Sequence, residues 1–193
     1  MDRSAYLAAV PVSGRRGQDD AMTDIDAARS ILTDAFDRIA EQVQTVTADL
    51  ADADAVWRPD PDANSVAWLI WHLSRVQDDH IADLAGTEQV WTGDGWCDRF
   101  GLPFDRGAHG YGQSSSEVAK VHTPAVDLAA YHRAVRAATQ RYLDALTGEE
   151  LARVVDTHWD PPVTASMRIV SVINDCTDHV GQAEYVRGMA QRR

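Results

Sequence analysis

The sequence predicts an all-α protein, a four-helix bundle with a long loop or flap between its second and third helices. Three observations predict it. Four long segments repeat apolar residues at helical spacing. No stretch alternates apolar and polar residues as a half-buried strand does, and no internal repeat is visible. The 193 residues suit one core, and four amphipathic helices in that length bury their apolar faces most economically against one another.

The first helix is expected over residues 24–50, where Ile25, Ala28, Ile31, Leu32, Ala35, Ile39, Val43, Val46 and Leu50 recur on one side. Thr23 or Asp24 offers a side-chain oxygen to cap its start. Residues 1–22 have little periodicity and carry Gly14, Arg15, Arg16, Gly17, Asp19 and Asp20, so they are expected to form a flexible tail, with residues 23–193 forming the bundle. Met22 directly precedes the first helix and is a candidate start of translation. A connection rich in Asp and Pro leads to the second helix, residues 65–85, which Asn64 or Ser65 caps and Gly86 stops.

The segment 87–123 is too long for a simple connection. Its glycines mark turns, and Trp91, Trp96, Phe100, Phe104 and Tyr111 favour a packed flap over a loose linker. The third helix is expected over 124–146, with Pro124 in its first turn and Gly148 after its end. After the loop element THWDPPVT comes the fourth helix, residues 166–189, in which Ile169, Val170, Val172, Ile173, Cys176, Val180 and Ala183 are apolar.

Charge narrows the function classes. A formal net charge of -12, with Lys120 as the one lysine, repels phosphate backbones and anionic lipid, so neither nucleic acid nor membrane is an expected partner. No apolar run approaches the roughly eighteen residues of a membrane span. The N-terminus lacks a sustained apolar stretch of the secretory kind, and a cytoplasmic location follows by default. Cys97 and Cys176 match no zinc knuckle and no redox pair. Cys176, in an apolar helical stretch, reads as a buried free thiol.

Asp175 and His179 carry the chemistry of the fourth helix. At i and i+4 they stack on one face, with Cβ atoms about 6 Å apart, and two metal ligands a helical turn apart are a recurring arrangement. Imidazole and carboxylate suit zinc, with nickel, iron or manganese compatible with the same donors. The second helix offers His72 and His80 as a third ligand. At about 100° per residue, its apolar centre points close to His80 and leaves His72 on the flank, so periodicity by itself favours His80. The flank still faces a neighbour in a bundle, and both remain open at this level.

The runs AWLIWHLSRVQDDHIADLAG and SVINDCTDHVGQAEYVRG resemble the DinB-like superfamily of four-helix metalloproteins. The closest likeness is to its actinobacterial branch of mycothiol-dependent transferases, related to maleylpyruvate isomerase. The resemblance covers nearly the whole chain from Met22 onward and rests most on the His of the second helix and the D-x-x-x-H-x-G-Q pattern of the fourth. It implies one metal ligand from the second helix and two from the last: His72, Asp175 and His179. Many relatives carry His or Glu where this chain has Asp175. Gln182 matches a position that supports the ligands from behind. Relatives often pair as homodimers.

The remaining candidates are weaker on residue type alone. Trp91 and Trp96, on the flap, and His158, just before the last helix, are candidates to line the substrate side, and Arg168 to bind a carboxylate. Arg75 and Arg187 are candidates for the same role, and solvated surface arginine is the default reading of all three. Trp68 and Trp71 read as packing residues, His80 as a structural histidine, and His109, His122 and His132 as surface residues.

Three protein ligands leave a coordination position open, the mark of a catalytic zinc. The resemblance implies that a low-molecular-weight thiol, mycothiol, takes that position, ionises and attacks an electrophilic small molecule, with the metal lowering the thiol's acidity constant. The chain shows no nucleophile elbow and no Cys beside a His. The expected activity is a metal-dependent mycothiol S-transferase or thiol-assisted isomerase. A metal-hydroxide hydrolase and a non-catalytic dimeric metal-binding bundle are the alternatives.

Overall fold

A computed structural model describes residues 22–193. The expected tail lies outside the described residues apart from Met22. Four long helices make the frame: α1 (Asp24–Thr47), α3 (Val66–Ala85), α7 (Ala125–Asp144) and α9 (Ala165–Ala190). Short helices punctuate the connections: α2 (Asp52–Ala55), α4 (Val90–Gly93), α5 (Trp96–Phe100), α6 (Ser115–Val118) and α8 (Gly148–Ala152).

The helix limits follow from local chemistry. The hydroxyl of Thr23 accepts from the Asp26 amide, that of Ser65 from Trp68, and that of Thr164 from Met167. Each satisfies an amide that the first turn leaves unpaired. Gly86 ends α3 at φ 64°, in the left-handed region where a Cβ is disfavoured. Pro124 stands at the cap of α7 rather than inside its first turn. The absence of strands needs one correction: β1 (Val154–Asp156) and β2 (Val163–Thr164) pair antiparallel just before α9. They are too short for alternation to show in the sequence.

α3 packs between α9 and α7, and α1 closes the bundle by packing against the same two helices from the opposite side. Because the flap lies over its remaining face, α3 is buried almost continuously from Val66 to Asp78. Ser74, Arg75, Gln77 and Asp78 are therefore buried along with Leu69, Ile70 and Leu73. The surface reading of Arg75 is thus overturned. Its guanidinium lies in the core, 3.6 Å from the Asp78 carboxylate, because a buried charge must find a partner.

The same carboxylate fastens the flap. Asp78 accepts from the amides of Val90 (2.9 Å) and Trp91 (2.8 Å), at the start of α4, and from the Tyr131 hydroxyl (2.9 Å). Burial pushes its pKa up, against the pull of these donors. Trp91 packs edge-on to Phe100 and tilted to Tyr131. A fully buried aromatic of this kind is worth about 2–3 kcal/mol of apolar transfer. The flap is therefore a packed layer around Trp91 and Phe100, whereas Tyr111, counted among the aromatics that favour it, is exposed. His132 is also buried rather than at the surface, with Nδ1 3.0 Å from the Ser74 hydroxyl. Among the described residues, no helix is long and apolar enough to cross a membrane.

Candidate metal centre

The α3–α9 interface brings His72, Asp175 and His179 together. One donor atom from each lies within 4.8 Å of the other two. The imidazole centroids of His72 and His179 are 4.7 Å apart, at 60°. His72 is 5% exposed, and the other two are half-buried. Asp175 and His179 meet because one helical turn separates them. His72 joins them only because α3 and α9 pack side by side.

Hydrogen bonds orient both rings. His179 Nδ1 donates to the carbonyl of Asp175, 2.8 Å away. His72 Nδ1 donates to the carbonyl of His109, on the flap. A carbonyl only accepts, so each Nδ1 carries the proton and each Nε2 keeps its lone pair for a ligand. Trp68, one turn before His72, stacks on it at 4.6 Å and 17°. Burial lowers the His72 pKa, and the neighbouring His179 lowers it further, while the His109 carbonyl opposes both. The neutral imidazole is the form a metal binds.

The donor set fits a divalent cation. Asp175 Oδ1 is buried and has no hydrogen-bond partner, a costly arrangement for a carboxylate that nothing compensates. It lies 3.7 Å from His179 Nδ1, whose proton is already committed to the backbone. A cation between the three side chains would satisfy that oxygen, and two imidazoles with one carboxylate suit zinc, nickel, iron or manganese.

The other candidates fall elsewhere. His80 is half-buried two turns further along α3, and Arg168 Nη1 donates to its Nδ1 at 3.4 Å. Arg168 also reaches Asp156 at 3.4 Å. These residues form a polar row along the α3–α9 seam and do not enter the trio. His158 has a 92% exposed side chain and bonds Asp156. Gln182 is exposed, one turn beyond His179. Trp91 and Trp96, on the flap, pack around Tyr131 of α7 and not beside the trio. Cys176 is a free buried thiol whose pKa burial raises well above normal. A cleft of about 680 Å³ lies between α3 and α7 around Ile81, Val135 and Tyr142, away from the trio.

Residue-by-residue reading missed Trp68, Arg75, His109 and Gly110 as neighbours of the centre. Trp68 was accessible in principle, since it precedes His72 by four residues on the same face. His109 acts through its backbone, which leaves no mark in residue type.

An all-α bundle with two histidines and a carboxylate converging between its second and fourth long helices defines the class as a DinB-like four-helix bundle. Within it, the chain belongs to the mycothiol-S-transferase family, whose sequence profile matches residues 31–191. It is similar to a solved structure described as a conserved protein of locus from Enterococcus faecalis, at 33% identity and a TM-score of 0.80, over 85% of this chain and 97% of that one. No curated protein matches it.

Proposed function

We propose that this chain is a metal-dependent mycothiol S-transferase acting on a small electrophile, with His72, Asp175 and His179 as the metal ligands. The observation that carries the reading is the buried, unpartnered Asp175 Oδ1 in a side chain that groups with two imidazoles whose Nδ1 protons are already committed. Family membership supports the thiol as co-substrate.

A divalent cation held by His72, Asp175 and His179, zinc first, would supply the Lewis acidity that favours the ionised form of a thiol near neutral pH. The protein's own contribution is placement. His72 and His179 present Nε2 from fixed rings, Asp175 brings the one negative charge, and Trp68 walls one side with an apolar surface that limits water. Cys176 takes no part, since its sulfur is enclosed between α3 and α9 near the Leu73 carbonyl. In a transfer, the thiol gives its proton to solvent, its sulfur bonds to the electrophilic carbon, and the leaving group departs with the electron pair of the carbon bond that breaks. In a thiol-assisted isomerisation the same bond forms and later breaks.

Calorimetry with mycothiol on zinc-loaded protein tests the reading. Saturable binding that disappears on chelation is expected. No binding at millimolar thiol, or ester hydrolysis that proceeds without thiol, removes it.

A further inference from the structure

Two successive flap residues meet the His72 imidazole, and the residue before them is held by Arg75. Ala108 accepts from Arg75 Nε at 3.1 Å. His109 accepts from His72 Nδ1. Gly110 has φ +99°, and a Cβ there would stand 2.6 Å from His72 Nδ1 and 3.2 Å from Trp68 Cζ2. Three residues on, Gln113 accepts from Trp68 Nε1 at 2.7 Å, so the ring stacked on His72 is tied to the same segment.

Arg75 sets the height of that segment. Its side chain is fully buried. Besides Ala108 it donates to Gln89 Oε1 at 2.8 Å, and its guanidinium lies over the Trp91 ring at 5.0 Å. It sits one turn along α3 from His72, so it links the flap backbone to the helix that carries the ligand.

We propose that the turn 108–113 is a clamp that fixes His72 as the Nδ1–H tautomer with Nε2 toward Asp175 and His179, and that Arg75 is the positioning residue that holds the clamp in place. The physical basis is that a neutral imidazole exchanges its proton between two nitrogens unless one faces a pure acceptor. Gly110 permits the approach, since any side chain there meets the ring in a backbone conformation that already disfavours one. The inference rests on the proposed metal centre for its purpose, but the tautomer is a property of the metal-free protein.

The test is long-range ¹H–¹⁵N correlation on histidine-labelled, metal-free protein, with His72 assigned from the signal lost in His72→Gln, alongside zinc titration of each variant. Wild-type His72 is expected to carry its proton on Nδ1. Gly110→Ala and Arg75→Met are expected to mix the tautomers and to weaken zinc binding roughly 10–100-fold, the usual effect of removing a partner behind a metal ligand. Arg75→Lys keeps a cation for Asp78 should the methionine variant fail to fold, and its single ammonium is expected to give the same shift to a smaller degree. Val135→Ala, a core change away from the flap, is expected to lower stability while leaving tautomer and zinc affinity alone. A wild-type proton on Nε2 overturns the clamp. So does a wild-type tautomer with zinc affinity within about twofold in folded Gly110→Ala and Arg75 variants. A correct wild-type tautomer with no zinc binding supports the clamp and instead removes the metal reading.

Discussion

His72 and His109 are 37 residues apart, yet the Nδ1 of one donates to the backbone carbonyl of the other. The bond joins the most buried helix of the bundle to the flap that covers it. A candidate metal ligand is thereby oriented by a segment outside the helices that supply the ligands.

The trio itself gives the first prediction. Elemental analysis of purified protein is expected to find a divalent metal near one per chain. His179→Ala and His72→Ala are expected to lose it, because two remaining donors hold a cation poorly. His80→Ala is expected to retain it, since His80 lies with Arg168 and outside the trio. Unchanged occupancy in His179→Ala refutes the ligand assignment.

Asp175 gives an opposite sign with and without metal. In metal-free protein its Oδ1 is buried without a partner, so Asp175→Ala is expected to raise the melting temperature or leave it unchanged. With zinc at a hundredfold over its Kd, wild type gains about 2.7 kcal/mol by mass action. The variant is expected to lack most of that gain. Thermal denaturation with zinc and with chelator checks both arms.

The flap fastening gives a third. Asp78→Ala leaves the guanidinium of Arg75 buried without its carboxylate and strips the caps from Val90 and Trp91. A loss of about 3–5 kcal/mol is expected from breaking such a pair. Urea denaturation followed by Trp fluorescence measures it, since Trp91 sits at the fastening.

His132 predicts a pH dependence. Burial, aided by Arg136, lowers its pKa from 6.5 to about 4. The folded state therefore resists a proton that the unfolded chain accepts. As pH falls below 6.5 the unfolded state gains protons first, so stability drops until about pH 4, where the folded form also titrates. The drop is expected to total about 3 kcal/mol. Denaturant midpoints at pH 7 and pH 4.5 check it, and His132→Asn is expected to remove most of the difference.

By itself the sequence determined the long local elements of the chain, though not the short β1–β2 pair. Helical periodicity placed the four long helices, and one helical turn aligned Asp175 with His179. Thr23 or Asp24, Asn64 or Ser65, and Gly86 marked ends, and of the paired candidates Thr23 and Ser65 prove to be the caps. Periodicity left His72 and His80 open and the resemblance implied His72; the tertiary structure brings His72 to that pair, and it alone decided that Arg75 and His132 lie inside. Periodicity finds a single apolar face and assigns the rest to water. α3 has no wet face over its first turns, because α9, α7 and the flap enclose it. Polar residues there are held by partners distant in sequence, and a carbonyl such as that of His109 has no residue type by which to be read.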